Sequence, residues 1–125
     1  MAEITAEKAA NEAALARFCA EQASEKLGGD VVALDVRDIS SIADYFIIVT
    51  ATSVPHLKAL AGHLEEEVRK EFQRRPLAVD GEPVSEWVLI DFGSVLVHIM
   101  GEETRRKYDL ERLWSDAPVL KFAAN

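Results

Sequence analysis

At 125 residues, 49% hydrophobic and 29% charged, the chain has the size and composition of one globular domain. Its longest unbroken apolar run, Tyr45 to Val49, is far short of the ~20 residues of a membrane span. Glutamates at positions 3, 7, 12, 21 and 25 exclude a signal peptide or an Arg-rich transit peptide, so a cytoplasmic protein with no membrane contact is expected. Fourteen Lys and Arg against 22 Asp and Glu leave a net charge of −8. That balance argues against binding free nucleic acid through its phosphates and favours steering towards a basic partner. The single cysteine, Cys19, excludes an intrachain disulfide and any CxxC redox or zinc motif; within an apolar helical stripe it is expected to be an inert core thiol.

In chain order, residues 5–27 predict a helix, rich in Ala, Glu, Lys and Leu, with Leu15, Phe18, Cys19, Ala23 and Leu27 on one face and Gly28-Gly29 as its stop. Ile4 is the only large apolar anchor of the first ten residues, which are expected to fray. Val31–Val36 reads as a strand. Asp38 to Ser41 reads as a turn, and Asp44–Ala51 as a strand apolar on both faces and therefore central in a sheet covered on both sides. Thr52 or Ser53 caps the next helix, about Val54–Arg74, which buries Leu57, Leu60, Ala61, Leu64, Val68 and Phe72. Arg74-Arg75 suit its negative pole and Pro76 stops it. Leu77–Val79 is a short strand and Asp80 to Pro83 a turn.

Glu86–Asp91 and Ser94–Met100 then form a β-hairpin about Phe92-Gly93. A final helix over Glu102–Trp114 turns Tyr108, Leu110, Leu113 and Trp114 inward. Val119, Leu120 and Phe122 are the only anchors of the tail. The domain is placed at residues 1–118 and the tail at 119–125.

A two-residue loop at Phe92-Gly93 pairs Trp87 with His98 and puts Val88, Ile90, Val95, Val97 and Ile99 on one aliphatic, core-facing side. The other side carries Trp87, Leu89, Asp91, Ser94, Leu96, His98 and Met100, a mixture suited either to a docking patch or to a cover of helix. A three-residue loop with a bulge would instead put Trp87 beside Val95, Val97 and Ile99.

Chemical motifs are weak. Asp91-Phe92-Gly93 lacks every other kinase element, and Gly93 is better read as the positive-φ residue of a turn. His56, His63 and Glu67 share a helix, but read as solvated side chains rather than as a metal site with its converging ligands. Ser94, His98 and Asp91 on one hairpin do not make a relay. No metal, cofactor or catalytic residue is expected. Arg105-Arg106-Lys107, flanked by acids, reads as a solvated helix face or as a local contact with an RNA or an acidic partner.

The ordered set Ala33-Leu34-Asp35-Val36, Ser41 to Ile48, Thr52-Ser53, Trp87 to Gly93, Val97 to Met100 and Arg105 to Trp114 resembles the ribosomal silencing factor (iojap-like) family over about residues 12–116. The resemblance implies an α/β fold, a mixed sheet flanked by helices and akin to nucleotidyltransferases. It implies docking on the large ribosomal subunit through a basic ribosomal protein, large-subunit protein fourteen, so that the small subunit cannot join and translation is repressed. Trp87, Leu89, Asp91, Leu96, His98, Met100 and Tyr108 are the expected partner-binding residues. Two alternatives stand beside this reading. One is a nucleotidyltransferase-fold enzyme, opposed by the two-residue gap between Asp35 and Asp38 and the lack of a phosphate loop. The other is a homodimeric interaction module with no ribosomal role.

Overall fold

The computed structural model describes residues 2–120, with side chains described from residue 11 onward, so the readings made for the Ile4 side chain and for Phe122 fall outside the described residues. In chain order the elements are α1 (Ala2–Glu25), β1 (Gly29–Asp35), β2 (Tyr45–Ala51), α2 (Val54–Phe72), β3 (Ala78–Asp80), a 3-10 turn (Pro83–Ser85), β4 (Trp87–Asp91), β5 (Val95–Gly101), α3 (Glu102–Tyr108) and α4 (Leu110–Leu113). The five strands form one mixed sheet in the order β1-β2-β5-β4-β3, in which only β2 and β5 run parallel. The expected α/β class and mixed sheet are therefore correct. The centre of the sheet, however, is β5, with β2 beside it. Both strands are buried along their whole length.

Strand alternation divides the core in two. Tyr45, Ile47, Val49, Val88, Ile90, Phe92, Val95, Val97 and Ile99 face α1 and α2. From the helices, Leu15, Ala16, Cys19 and Ala23 of α1 and Leu57, Leu60, Leu64 and Val68 of α2 meet them. Burying each such α2 side chain is worth roughly 1.5–3 kcal/mol. Burial also pushes the Cys19 thiol up to about 12, which makes it the inert thiol expected.

On the opposite, thinner side, Leu34, Val36, Phe46, Ile48, Leu96 and Met100 are covered by Leu110, Trp114 and Ala117. Residues 118–120 close the outer edge of β1: Asp35 N–H donates to the Pro118 carbonyl and Leu120 N–H to that of Ala33.

Helix ends follow their chemistry. Ser53 Oγ accepts from the His56 amide, Pro55 lies in the first turn, and Gln73 closes the helix in a left-handed conformation at φ 53°. Helix α2 thus ends at Phe72, two residues early. Arg74 leaves the helix axis and pairs bidentately with Glu12 of α1, both bonds at 2.8 Å. Ser94 Oγ of the hairpin turn donates to the same carboxylate, so α1, the end of α2 and the β4–β5 turn are tied at one buried point.

The hairpin register differs from expectation. Trp87 pairs with Met100, Val88 with Ile99 and Leu89 with His98. The tight turn is Gly93-Ser94: Phe92 N–H donates to Val95 O, Gly93 adopts φ +96°, and its N–H is held by Asp91 Oδ1 at 2.7 Å. Phe92 is thereby buried in the core instead of sitting at the tip. Moving the turn by one residue shifts each pair by two positions, so every side chain keeps its expected face.

Candidate functional site

The last helical stretch is not one helix. Asp109 takes φ 45° and breaks it, turning α4 away from α3. As a result Leu110 is buried and Trp114 packs edge-on against Phe46 at 5.0 Å. Tyr108 and Leu113, both expected to face inward, are 50% and 71% exposed.

The polar-aromatic side of the hairpin is accordingly half covered. Met100 is fully buried, and Leu96 and His98 nearly so, under α3, α4 and the segment that follows. These three residues, expected at a docking surface, belong to the thin-side core, because the kink at Asp109 lays α4 over β2 and β5. Asp91 is half-buried and one of its oxygens holds the turn through Gly93 N–H. Trp87 and Leu89 remain half-buried at the open end of the sheet.

There the structure forms a groove of about 520 Å³. Trp87 and Leu89 line it, with Asp80, Gly81 and Ser85 from the β3–β4 connection and Thr104, Lys107 and Tyr108 from α3. The Tyr108 ring lies 4.8 Å from that of Trp87, and Lys107 Nζ sits 5.5 Å from the Tyr108 ring centroid. Trp87 is anchored from below, its indole N–H donating to His98 Nδ1 at 3.2 Å. This contact is diagonal across the strands rather than directly opposite. It fixes the His98 proton on Nε2, which has no hydrogen-bond partner among the described residues and lies in a ring environment against Phe46. Burial holds the imidazole down at about 4, and therefore neutral.

Of the residues expected at a partner site, the structure brings Trp87, Leu89 and Tyr108 together. It adds Asp80, Gly81, Ser85 and Thr104, which the sequence did not single out, and Lys107, which the sequence marked only as part of the basic cluster. Gly81 is specifically required. At φ +86° a Cβ there would stand 2.2 Å from the Trp87 carbonyl oxygen. Gly81→Ala is expected to lower stability by about 1–3 kcal/mol and push the Asp80–Gly81 lip off Trp87. The check is a urea melt together with the Trp87 indole N–H chemical shift.

The remaining motifs resolve into structure. Arg105 is not on a solvated face. It is 9% exposed, and its guanidinium binds Thr50 Oγ1 at 2.8 Å and Glu111 Oε2 at 2.8 and 3.2 Å. His56 is not a free ligand: Nδ1 accepts from the Thr52 amide at 2.9 Å and Nε2 meets Lys26 O. His63 Nε2 meets Gln22 Oε1 at 2.7 Å. Among the described residues no group of three or more His, Cys, Asp or Glu converges as a metal site would, and no helix is long and apolar enough to cross a membrane. Asp35, a candidate carboxylate of the enzyme alternative, is engaged bidentately by Arg37 at 2.7 and 2.9 Å. The Arg37 hydrogen bonds hold its carboxyl below the usual range.

The chain as a whole is similar to known proteins. The family model described as "Ribosomal silencing factor during starvation" matches residues 7–124. The chain is 33% identical over 117 residues to the ribosomal silencing factor RsfS of Bacillus subtilis, covering 92% of this chain and 98% of that protein. It is 38% identical over 103 residues to that of Haemophilus influenzae, covering 82% and 99%. A crystal structure of a Chromobacterium violaceum protein superposes with a TM-score of 0.78 at 30% identity, covering 91% of this chain and 93% of the other.

Proposed function

The chain belongs to the ribosomal silencing factor family, and from that premise we propose that it represses translation by seating its aromatic groove on a basic protein of the large ribosomal subunit. So placed, the bound domain occludes the surface the small subunit must meet. The protein expected from the family resemblance is large-subunit protein fourteen. Occlusion needs bulk and a firm seat, and no bond need be made or broken.

The observation that carries this reading is the meeting of half-buried Trp87 and Leu89 with the exposed Tyr108 along one groove. A half-buried tryptophan braced by a second ring and held by a hydrogen bond from beneath is the pre-organised anchor that dominates protein interfaces. The chemistry of the walls suits a cationic side chain, which can lie over the Trp87 and Tyr108 faces with its head near the Asp80 carboxylate. The net charge of −8 steers a basic partner towards the domain.

The test is sedimentation of the full chain with isolated large subunits, paired with a subunit-joining assay. Trp87→Ala is expected to weaken binding by about 2 kcal/mol, roughly 30-fold, and to restore joining. Tyr108→Ala, which removes a half-exposed ring and leaves the core alone, should act in the same direction. Met100 is a poor companion variant because its truncation would open the core. Unchanged sedimentation of folded Trp87→Ala and Tyr108→Ala proteins would move the seat to another surface.

A further inference from the structure

Adjoining the groove, and sharing Lys107 and Tyr108 with it, lies a surface of different character. The left-handed break at Asp109 turns α4 away from α3, and residues of the two short helices line an open recess of about 500 Å³. Its lining is Arg106, Lys107, Tyr108, Asp109, Arg112 and Leu113, all exposed. Three cations thus converge on one concavity in a chain whose net charge is −8. None is committed to the fold. Arg106 makes only an i,i+4 pair with Glu102, both side chains more than two-thirds exposed, a contact that exchanges readily for a better anion. Lys107 rests on the Tyr108 ring. No hydrogen bond or ion pair is formed by the Arg112 side chain with any described residue. Burial of Arg105 takes the fourth cation of the segment out of the surface, so the concavity is defined by these three.

We propose that this α3–α4 recess is an RNA contact, in which Arg106, Lys107 and Arg112 hold phosphates of a ribosomal RNA strand while Tyr108 offers its outer face to a base. The inference rests on the docking reading above: a domain seated on a large-subunit protein brings the rim of its groove against the RNA beside that protein. Two features favour RNA over an acidic protein segment. Several cations lining one concavity suit the successive phosphates of a strand, and an exposed aromatic among them supplies a stacking platform that a carboxylate does not use. The one acid in the recess, Asp109, opposes any anion, which supplies a variant with a predicted gain.

The experiment is equilibrium binding of the full chain to isolated large subunits between 50 and 200 mM monovalent salt. Neutralising three phosphate contacts implies that the wild type loses roughly 20- to 40-fold more affinity across that range than R106Q/K107Q/R112Q, whose plot of log affinity against log salt is shallower by about two. All three residues are exposed, so the variant keeps its fold. D109N, in which asparagine tolerates the left-handed turn, should bind subunits more tightly at low salt. The same series against the isolated basic ribosomal protein should show no effect of R106Q/R112Q, which leaves the groove-lining Lys107 in place. Equal salt slopes for wild type and triple variant on subunits would overturn the RNA contact while leaving the groove reading standing. A slope change that persists with the isolated protein would assign the recess to an acidic protein segment instead. Failure of the wild type to bind subunits at all would remove both readings.

Discussion

Replacing Arg105 with alanine is expected to destabilise the fold by about 3 kcal/mol, at the lower end of what removing one partner of a buried pair costs. The guanidinium is where three separate elements meet. Nη1 donates to Thr50 Oγ1 at 2.8 Å on β2 and approaches the Gly29 carbonyl of β1 at 3.4 Å, while Nε and Nη2 both reach Glu111 Oε2 of α4. Alanine leaves Thr50 and the Glu111 carboxylate without this donor. Glu111 is partly exposed and recovers some water, which keeps the cost from the top of the range. In urea the midpoint should fall by roughly 1–2 M for a domain of this size. Lysine restores the charge without the planar fork that reaches three acceptors at once, so Arg105→Lys should recover little. The neighbouring Arg106→Ala is the control: its exposed pair with Glu102 is worth about 0–0.5 kcal/mol. Equal midpoints for the Arg105 and Arg106 variants would show that the buried contacts do not hold α3 to the sheet.

The same residue shows where local sequence stops being informative. Arg105, Arg106 and Lys107 are chemically alike and adjacent. A helix turns about 100° per residue, so they cannot all face one way. Which one meets the sheet is decided by Thr50, 55 residues earlier, on the thin side of β2. No local pattern carries that information. The elements themselves were legible for the opposite reason. The apolar run Tyr45 to Val49 and the alternation of Val88, Ile90, Val95, Val97 and Ile99 are local and periodic, and they name strands and faces without long-range knowledge. Face assignment survived the misplaced hairpin turn because pleating has a period of two.

The break at Asp109 was not legible, since it uses an aspartate in a left-handed conformation where glycine would have announced it. That break exposes Tyr108 and buries Met100, and so decides which half of the expected patch is surface. Trp87, Leu89 and Tyr108 could be named in advance as aromatic or apolar residues on one hairpin face and one helix. Asp80, Gly81, Ser85 and Thr104 could not, because they join the site only when the β3–β4 connection closes over the sheet.

The stability of the domain is expected to fall by up to about 3 kcal/mol between pH 7 and pH 4, through His98. In the unfolded chain its imidazole titrates near 6.5, whereas burial holds the folded group at about 4. Below pH 6.5 the unfolded chain takes up a proton that the folded one refuses. The stabilisation is therefore complete above that value, is lost as pH falls towards the folded pKa, and levels off beneath it. A separation of about two and a half units at about 1.4 kcal/mol each sets the ceiling. Asp35 adds a loss of its own, held low by its hydrogen bonds to Arg37, but in a more acidic window, below the usual carboxylate pKa of 3.8. Protonation also has a local result. A charged His98 carries a proton on Nδ1, which then faces the indole N–H of Trp87 donor to donor, and the anchor beneath the groove is lost. Urea melts from pH 7.5 to 4 should show the midpoint falling, with tryptophan emission of the folded state shifting to the red at the acid end. His98→Gln keeps an acceptor for Trp87 and has nothing to titrate, so its midpoint should vary far less over the same interval. A wild-type midpoint that stays flat down to pH 4.5, or a His98→Gln profile as steep as the wild type's, would show that the imidazole under Trp87 is not the group that gates the fold in acid.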